Sequence, residues 1–364
     1  MPVPPDDATP HGSAATGPEA LYERAATASR ATGEAPARTL WQLAVALCTK
    51  DSHEATACAA RLADTLPSPA GPDHRRSLLR RMAWQLVQRP STVTLRPLFE
   101  RLPETLDPAT EFRACLLHEL ALRHGLDDEP YLAYGARLRE LGHPLAWLPL
   151  ATLDFEHRTR QLSWSRGSLL GSPSPRELRS RFPEIPPTEA GTRAARTAQE
   201  IVDPRRTGAA GEPLDQLGTW EARCYELPEP LDAADWNAAL LTGLPADCLS
   251  GLTAGTLAAV HTTADDVLAD LFLAAFSGGL WGQGLDGAYA RRAAWRGLYA
   301  LMDLPWEVSH HEAVRRAAEH RWLRFAAERH TENRWFHGDL SDVGFAVLDP
   351  TRRRIALLAA TDTD

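Results

Sequence analysis

Apolar residues recur every three to four positions through the first half of the chain, and gather into short uninterrupted runs near its end. In ARTLWQLAVALCTK, Leu40, Leu43, Ala44 and Leu47 stand at i, i+3, i+4 and i+7, one face of a helix. Further segments of the same period follow one another between residues 19 and 156, separated by short Pro, Gly and Asp breaks. They predict an all-helical N-terminal half stacked as helical hairpins, without the self-similar residues of a named repeat.

The period changes in the second half. Residues 343–348 and 355–360 are apolar runs joined through Asp349-Pro350, which puts proline at the second position of a β-turn and predicts a hairpin. Phe345 and Val347 face one way, Ala346 and Leu348 the other, and Ile355 and Leu357 alternate with Ala356 and Leu358. Both faces are apolar, so the hairpin must lie inside a covered sheet. Residues 218–225 alternate Trp220, Ala222 and Cys224 against Glu221 and Arg223, the mark of a half-buried strand, and another strand is expected over 256–261. Thr263 with its acidic first turn caps a buried helix over 263–276, and the passage SGGLWGQGLDG leads into a second helix over 288–302. Residues 309–330 begin as a helix, but WLRFAA within them also reads as a strand.

The fold class is therefore α+β: an all-α helical N-terminal half, and a C-terminal half with a mostly antiparallel sheet flanked by helices. Residues 1–17, rich in Pro, Gly and Ala, are expected to be a disordered tail, 18–162 a helical domain, 163–192 a Ser, Pro and Arg-rich linker, and 193–364 an α+β domain.

Charge and cysteine usage narrow the function classes. The formal net charge of -9 removes the electrostatic footprint of a nucleic-acid binder, though a local basic patch remains compatible with it. Lys50 is the only lysine, so lysine-dependent chemistry is confined to one position. The arginine-for-lysine, alanine-rich usage suits a high-GC bacterial genome. Five widely spaced cysteines without a CxxC pair point to a reducing compartment, and no apolar run reaches membrane-spanning length. A cytoplasmic location with neither membrane nor nucleic-acid partner is the expectation.

LFLAAFSGGLWGQGLDGAYARRAAWRGLYAL and the closing WFHGDLSDVGFAVLDPTRRRIALLAATDTD resemble an uncharacterised actinobacterial family of domains of unknown function. That family has a GG...GGAYGRLAAWRSL-like segment and a WDLG...LAATDTD-like end, and the likeness covers about residues 218–364. Ser341-Asp342-Val343-Gly344 stands where Trp-Asp-Leu-Gly is expected, keeping Asp342 and Gly344. The resemblance implies no activity, but it implies that WLRF around Trp322 is a strand of the hairpin's sheet.

The chemistry-bearing candidates are few. His337-Gly338-Asp339-Leu340 is similar to the catalytic-loop start of aminoglycoside-phosphotransferase-type kinases, which would make Asp339 the group that accepts the substrate hydroxyl proton. Gly344 stands where those kinases place a metal-binding Asn, and Asp362 falls near their second metal position. Asp339 and Asp342 are thus the catalytic candidates. Asp342, Asp362 and Asp364, gathered with Asp339 at one end of the hairpin, are candidates to hold Mg²⁺ or Ca²⁺, although turn and tail aspartates commonly hold none. Gly282 to Gly287 match GxGxxG, but a helix precedes them where a dinucleotide site needs a strand, so they are expected to form a tight helix-to-helix turn. His310, His311, Glu312, Glu319 and His320 lack the spacing of a metal helix, and Glu312/Arg316 and Arg324/Glu328 read instead as i, i+4 ion pairs. Tyr289, Arg292, Trp295 and Trp335 are the candidate interaction surface. The expected function is a non-catalytic cytosolic interaction or scaffold protein with a protein partner and no cofactor; alternatively, a divergent phosphotransferase-like or metal-dependent enzyme centred on the C-terminal aspartates.

Overall fold

The computed structural model describes residues 17–66, 72–162, 170–171, 173–181, 184, 186–279, 282–328, 333, 335–336 and 341–362. Two compact units partition the chain: Met1–Leu116 with Asp128–His143, and Leu117–Asp127 with Pro144–Asp364.

The first unit is helical, as expected, with α1 (Pro18–Arg30), α2 (Glu34–Thr49), α3 (His53–Thr65), α4 (Pro72–Val87), the first half of α5 (Pro108–His124) and α6 (Glu129–Glu140). Leu40, Leu43, Ala44 and Leu47 are all buried on α2. Ser52 caps α3 by accepting from the Ala55 amide at 3.1 Å. At the C-terminus of α2, buried Arg89 donates to Cys48 O (2.7 Å) and to Leu47 O (3.3 Å), which the Lys50 amide also reaches, and further to Thr56 Oγ1 (2.8 Å).

The second unit carries a six-stranded, wholly antiparallel sheet of β1 (Gln199–Glu200), β2 (Thr219–Glu226), β3 (Leu257–Thr262), β4 (Arg321–Ala327), β5 (Val343–Leu348) and β6 (Arg354–Thr361), in the order β1-β2-β6-β5-β4-β3. Its helices are the second half of α5, α7 (His157–Leu162), α8 (Pro175–Arg181), α9 (Glu189–Thr197), α10 (Pro204–Gly211), α11 (Ala238–Leu241), α12 (Ala264–Ser277), α13 (Asp286–Leu301) and α14 (His310–Ala317). The terminal hairpin is buried on both faces: Tyr225, Leu323, Phe325, Ala346, Leu348, Ile355 and Leu357 pack with Trp236, Leu240 and Leu241 into one core. On the other face Arg324 of β4 reaches Asp270 of α12 at 2.8 Å. WLRFAA is a strand because its apolar residues at both parities are needed between β3 and β5. The i, i+4 pair expected of Arg324 and Glu328 is accordingly lost, since a strand separates them; Arg324 pairs with Asp270, and Glu328 with Arg179 (3.3 Å).

Within the stretch 163–192, α8 buries Leu178 against Ala258, Val260 and Ala326, and Glu184 bridges Val260. After α9 ends at Thr197, Gln199 and Glu200 pair with β2. The polar side of β2, which alternation assigns to solvent, is only partly exposed, at Arg223. Glu221 is buried and accepts from the Asp247 and Cys248 amides at 3.1 and 2.7 Å, with Arg223 on its other side at 2.7 Å. A charged residue at an outward position of a strand signals exposure only when no loop crosses over it.

The glycine passage is the tight turn its composition predicts. Gly278, Gly279 and Gly284 have positive φ (72, 65 and 65°), and a Cβ on Gly278 or Gly284 would overlap the backbone of Gly284 or Phe276. The turn lets α12 and α13 return side by side.

Candidate functional site

The hairpin has two ends with different chemistry. At one, Thr361 Oγ1 donates to Asp342 Oδ1 at 2.8 Å, and the Ser341 amide donates to Asp362 Oδ1 at 3.2 Å. Continuing the register of Val343 opposite Ala360 puts Asp342 with Thr361 on one face and Ser341 with Asp362 on the other. Strand parity therefore puts Asp342 and Asp362, expected to gather at this end of the hairpin, on opposite faces of the sheet. Asp339 and Asp364 lie outside the described residues. Among the described residues no group of three or more His, Cys, Asp or Glu side chains is placed to hold a metal ion.

The four interaction candidates also separate. Trp295 is fully buried and is removed from any surface, because its indole N–H donates to buried Glu156 (2.8 Å). Trp335 is half-buried against the core, its amide held by Asn333 Oδ1 at 2.8 Å. Tyr289 is half-buried on α13. Arg292 reaches a cavity and pairs with Glu212 at 2.9 Å. Of the neighbouring histidines His310 is buried among Trp147, Trp295 and Tyr299, and the expected Glu312/Arg316 pair forms at 2.8 Å.

At the turn end of the hairpin the second unit opens into a groove of three chambers. The first, of about 290 Å³, is lined by Arg206, Arg315, Arg316, Arg354, Asp303 and His320, together with the turn residues Asp349 and Pro350. It shares Arg206, Asp303 and Leu304 with a second chamber of about 660 Å³, into which Arg205 and Arg296 also project. Arg296 and Trp306 continue into a third of about 260 Å³ with Arg292, Trp147 and Pro144. Most of these arginines are held in place. Glu212 takes Arg292 and Arg296 at 2.9 Å each, and Asp303 takes Arg206 (3.2 Å) and Arg354 (2.9 Å). The Arg296 guanidinium lies 4.9 Å from the Trp306 ring centre, with Tyr299 stacked on that ring at 5.5 Å. No single motif announced this groove; its arginines come from α10, α13, α14 and β6, and only the crossing of those elements brings them together.

Two buried ionisable groups of the second unit are shifted in opposite directions. Burial pushes the Glu119 carboxyl up from 4.5 to about 7, against the opposing pull of Arg123, while its Oε1 accepts from the Ala288 amide at the start of α13 (2.9 Å). Burial, reinforced by Arg291, pushes the His310 imidazole down from 6.5 to about 4. Glu119 therefore favours folding below pH 4.5, and that contribution is lost as pH rises through 7. The contribution of His310 is present above pH 6.5 and lost as pH falls through 4. Between 4.5 and 6.5 the two oppose one another. In Glu119→Gln only the histidine remains, so unfolding free energy should gain a slope of about 1.4 kcal/mol per pH unit relative to the parent across that window. Urea midpoints at pH 4.5, 5.5 and 6.5 measure it, and parallel curves would refute the assignment.

All five cysteines are buried thiols outside any disulfide; burial pushes the Cys48 thiol up to about 12 and Cys58 up to about 11, so neither is a thiolate at neutral pH. Among the described residues no helix is long and apolar enough to cross a membrane. No curated protein and no solved structure matches the chain. A family model does match it over residues 14–364, nearly its whole length and well beyond the C-terminal part whose motifs suggested kinship, and the chain thus belongs to DUF6183, a family of unknown function.

Proposed function

We propose that the protein is a non-catalytic interaction protein whose second unit receives an anionic partner in the arginine-lined groove. The supporting observation is the concentration of Arg205, Arg206, Arg296, Arg315, Arg316 and Arg354 along adjoining chambers of a chain with formal net charge -9. With Arg292, seven arginines line the groove against the five carboxylates of Glu212, Asp215, Asp303, Glu319 and Asp349, and this local positive excess on a negatively charged chain steers anions toward it. Arginine also suits the task because its planar fork presents paired donors to carboxylate or phosphate oxygens.

Arg205 is exposed, and its side chain has no ion-pair partner among the described residues, so it can be reversed without opening the fold. An octaglutamate peptide titrated into the full chain should bind with an affinity that falls as salt is raised, and Arg205→Glu should weaken it several-fold through slower association. Salt-independent binding, or none, would dismiss the groove as the anion site. ATP with Mg²⁺ tests the enzymatic alternative. Ligand at 100 times its dissociation constant stabilises by about 2.7 kcal/mol, and such a shift abolished by Asp339→Ala would replace this reading with the phosphotransferase-like one.

A further inference from the structure

Asp303 has a backbone conformation that its side chain does not favour. It follows α13 in a left-handed conformation (φ 57°), where the Leu304 amide donates to Tyr299 O (3.0 Å) and the Asp303 amide to Ala300 O (3.2 Å). This is the closing motif of a helix in which glycine is the usual occupant. What aspartate adds there is a carboxylate in the groove, and one of its oxygens, Oδ2, is shared by Arg206 (3.2 Å) and Arg354 (2.9 Å). Arg206 does not depend on Asp303 for its position, whereas the half-exposed Arg354 guanidinium has the Asp303 carboxylate as its partner. Arg206 also donates to Ala300 O (2.8 Å) and Leu301 O (3.3 Å), and the Arg354 backbone is fixed by Asp349 and by pairing with β2. Two guanidiniums thus converge on a single oxygen, and the same 290 Å³ chamber is lined by Arg315 and Arg316, both paired with Glu312, and by the carboxylates of Glu319 and Asp349.

We infer that this chamber is a phosphate-monoester site in which Asp303 occupies the arginine pair until the phosphate displaces its carboxylate. The inference rests on the anion-binding reading above and names its ligand. A phosphate monoester brings up to two charges and three terminal oxygens, enough for guanidiniums arriving from several elements, whereas a carboxylate has two oxygens. The ester substituent extends into the adjoining 660 Å³ chamber past Ala209, Ala300 and Arg296. The phosphate can come from a free small molecule or from a phosphorylated side chain on a partner, and the chemistry at Arg206 and Arg354 is common to both.

Calorimetric titration of the full chain with glycerol phosphate, a phosphoserine octapeptide, its unphosphorylated form and octaglutamate tests it. At least one phosphate ligand should bind, the phosphoserine peptide at least tenfold more tightly than its unphosphorylated form if the source is a partner, and glycerol phosphate equally well if it is a free molecule. Asp303→Gly, which suits the left-handed position, should tighten phosphate binding fivefold or more by removing the internal competitor. Arg354→Gln should weaken it at least tenfold while the melting transition stays cooperative. Unchanged or weaker phosphate binding in Asp303→Gly, or full binding in Arg354→Gln, would overturn the inference. Octaglutamate binding without any phosphate binding would sink this inference and leave the anionic-partner reading standing; loss of both would sink both.

Discussion

Truncation after Asp349 is expected to leave the second unit without a cooperative fold. β6 lies between β2 and β5, pairing with the first over Thr219 to Glu226 and with the second over Val343 to Leu348, so its removal splits one sheet into two fragments. Each fragment then exposes a long edge with unpaired amides and carbonyls. Ile355, Leu357 and Leu358 are at most 1% exposed, and each fully buried side chain of this size contributes roughly 1.5–3 kcal/mol. Three of them alone rival a typical net stability of about 5–15 kcal/mol. Near-ultraviolet circular dichroism should show loss of tertiary signal while the far-ultraviolet helical signal of the first unit persists. A truncated chain that melts as sharply as the parent would contradict the central placement of β6.

Arg291→Met should be the most damaging single substitution on α13. Arg291 and Glu156 are both fully buried; the arginine donates to Glu156 at 2.6 and 2.8 Å, and to Pro149 O and Ala151 O at 2.8 and 3.2 Å. The carboxylate also accepts from Trp295 Nε1 (2.8 Å) and the Leu153 amide (3.0 Å), which leaves a closed network. Removing the cation strands a buried carboxylate, at a cost of about 3–5 kcal/mol. Replacing both partners, Arg291→Met with Glu156→Leu, should recover much of that loss, because no charge is then left unpaired.

The pH dependence identifies the cause. Burial pushes the Glu156 carboxyl up, but Arg291 and the hydrogen bonds more than offset it and hold it below 4.5 in the parent. The parent's contribution is present above pH 4.5 and is lost only as pH falls through the depressed folded value. In Arg291→Met the carboxyl has no counter-ion and takes up a proton, so the destabilisation measured by urea unfolding should be larger at pH 7 than at pH 5. Equal destabilisation at both would mean that lost packing, not an uncompensated charge, is responsible.

The sequence by itself determined the elements whose signals are local. The hairpin was legible because its apolar runs and the Asp349-Pro350 turn state strand, reversal and two-sided burial within twenty residues. The α12 helix was legible because Thr263 caps it, accepting from the Asp266 amide, and Gly278 ends it in a left-handed conformation. Tertiary structure decided everything that depends on a partner distant in the chain. Arg291 and Arg292 are adjacent and chemically identical, yet helix rotation sends one into the core toward Glu156 and the other toward Glu212 at the groove. Glu221 was assigned to solvent because a strand's alternation cannot report the loop at Asp247 and Cys248 that later covers it. Asp342 and Asp362 are likewise set apart by parity across two strands, while the groove arginines are gathered from elements up to 149 positions apart, from Arg205 to Arg354. Periodicity follows from backbone geometry within a few residues, whereas the pairing of a charge follows from which chain segment the fold lays against it.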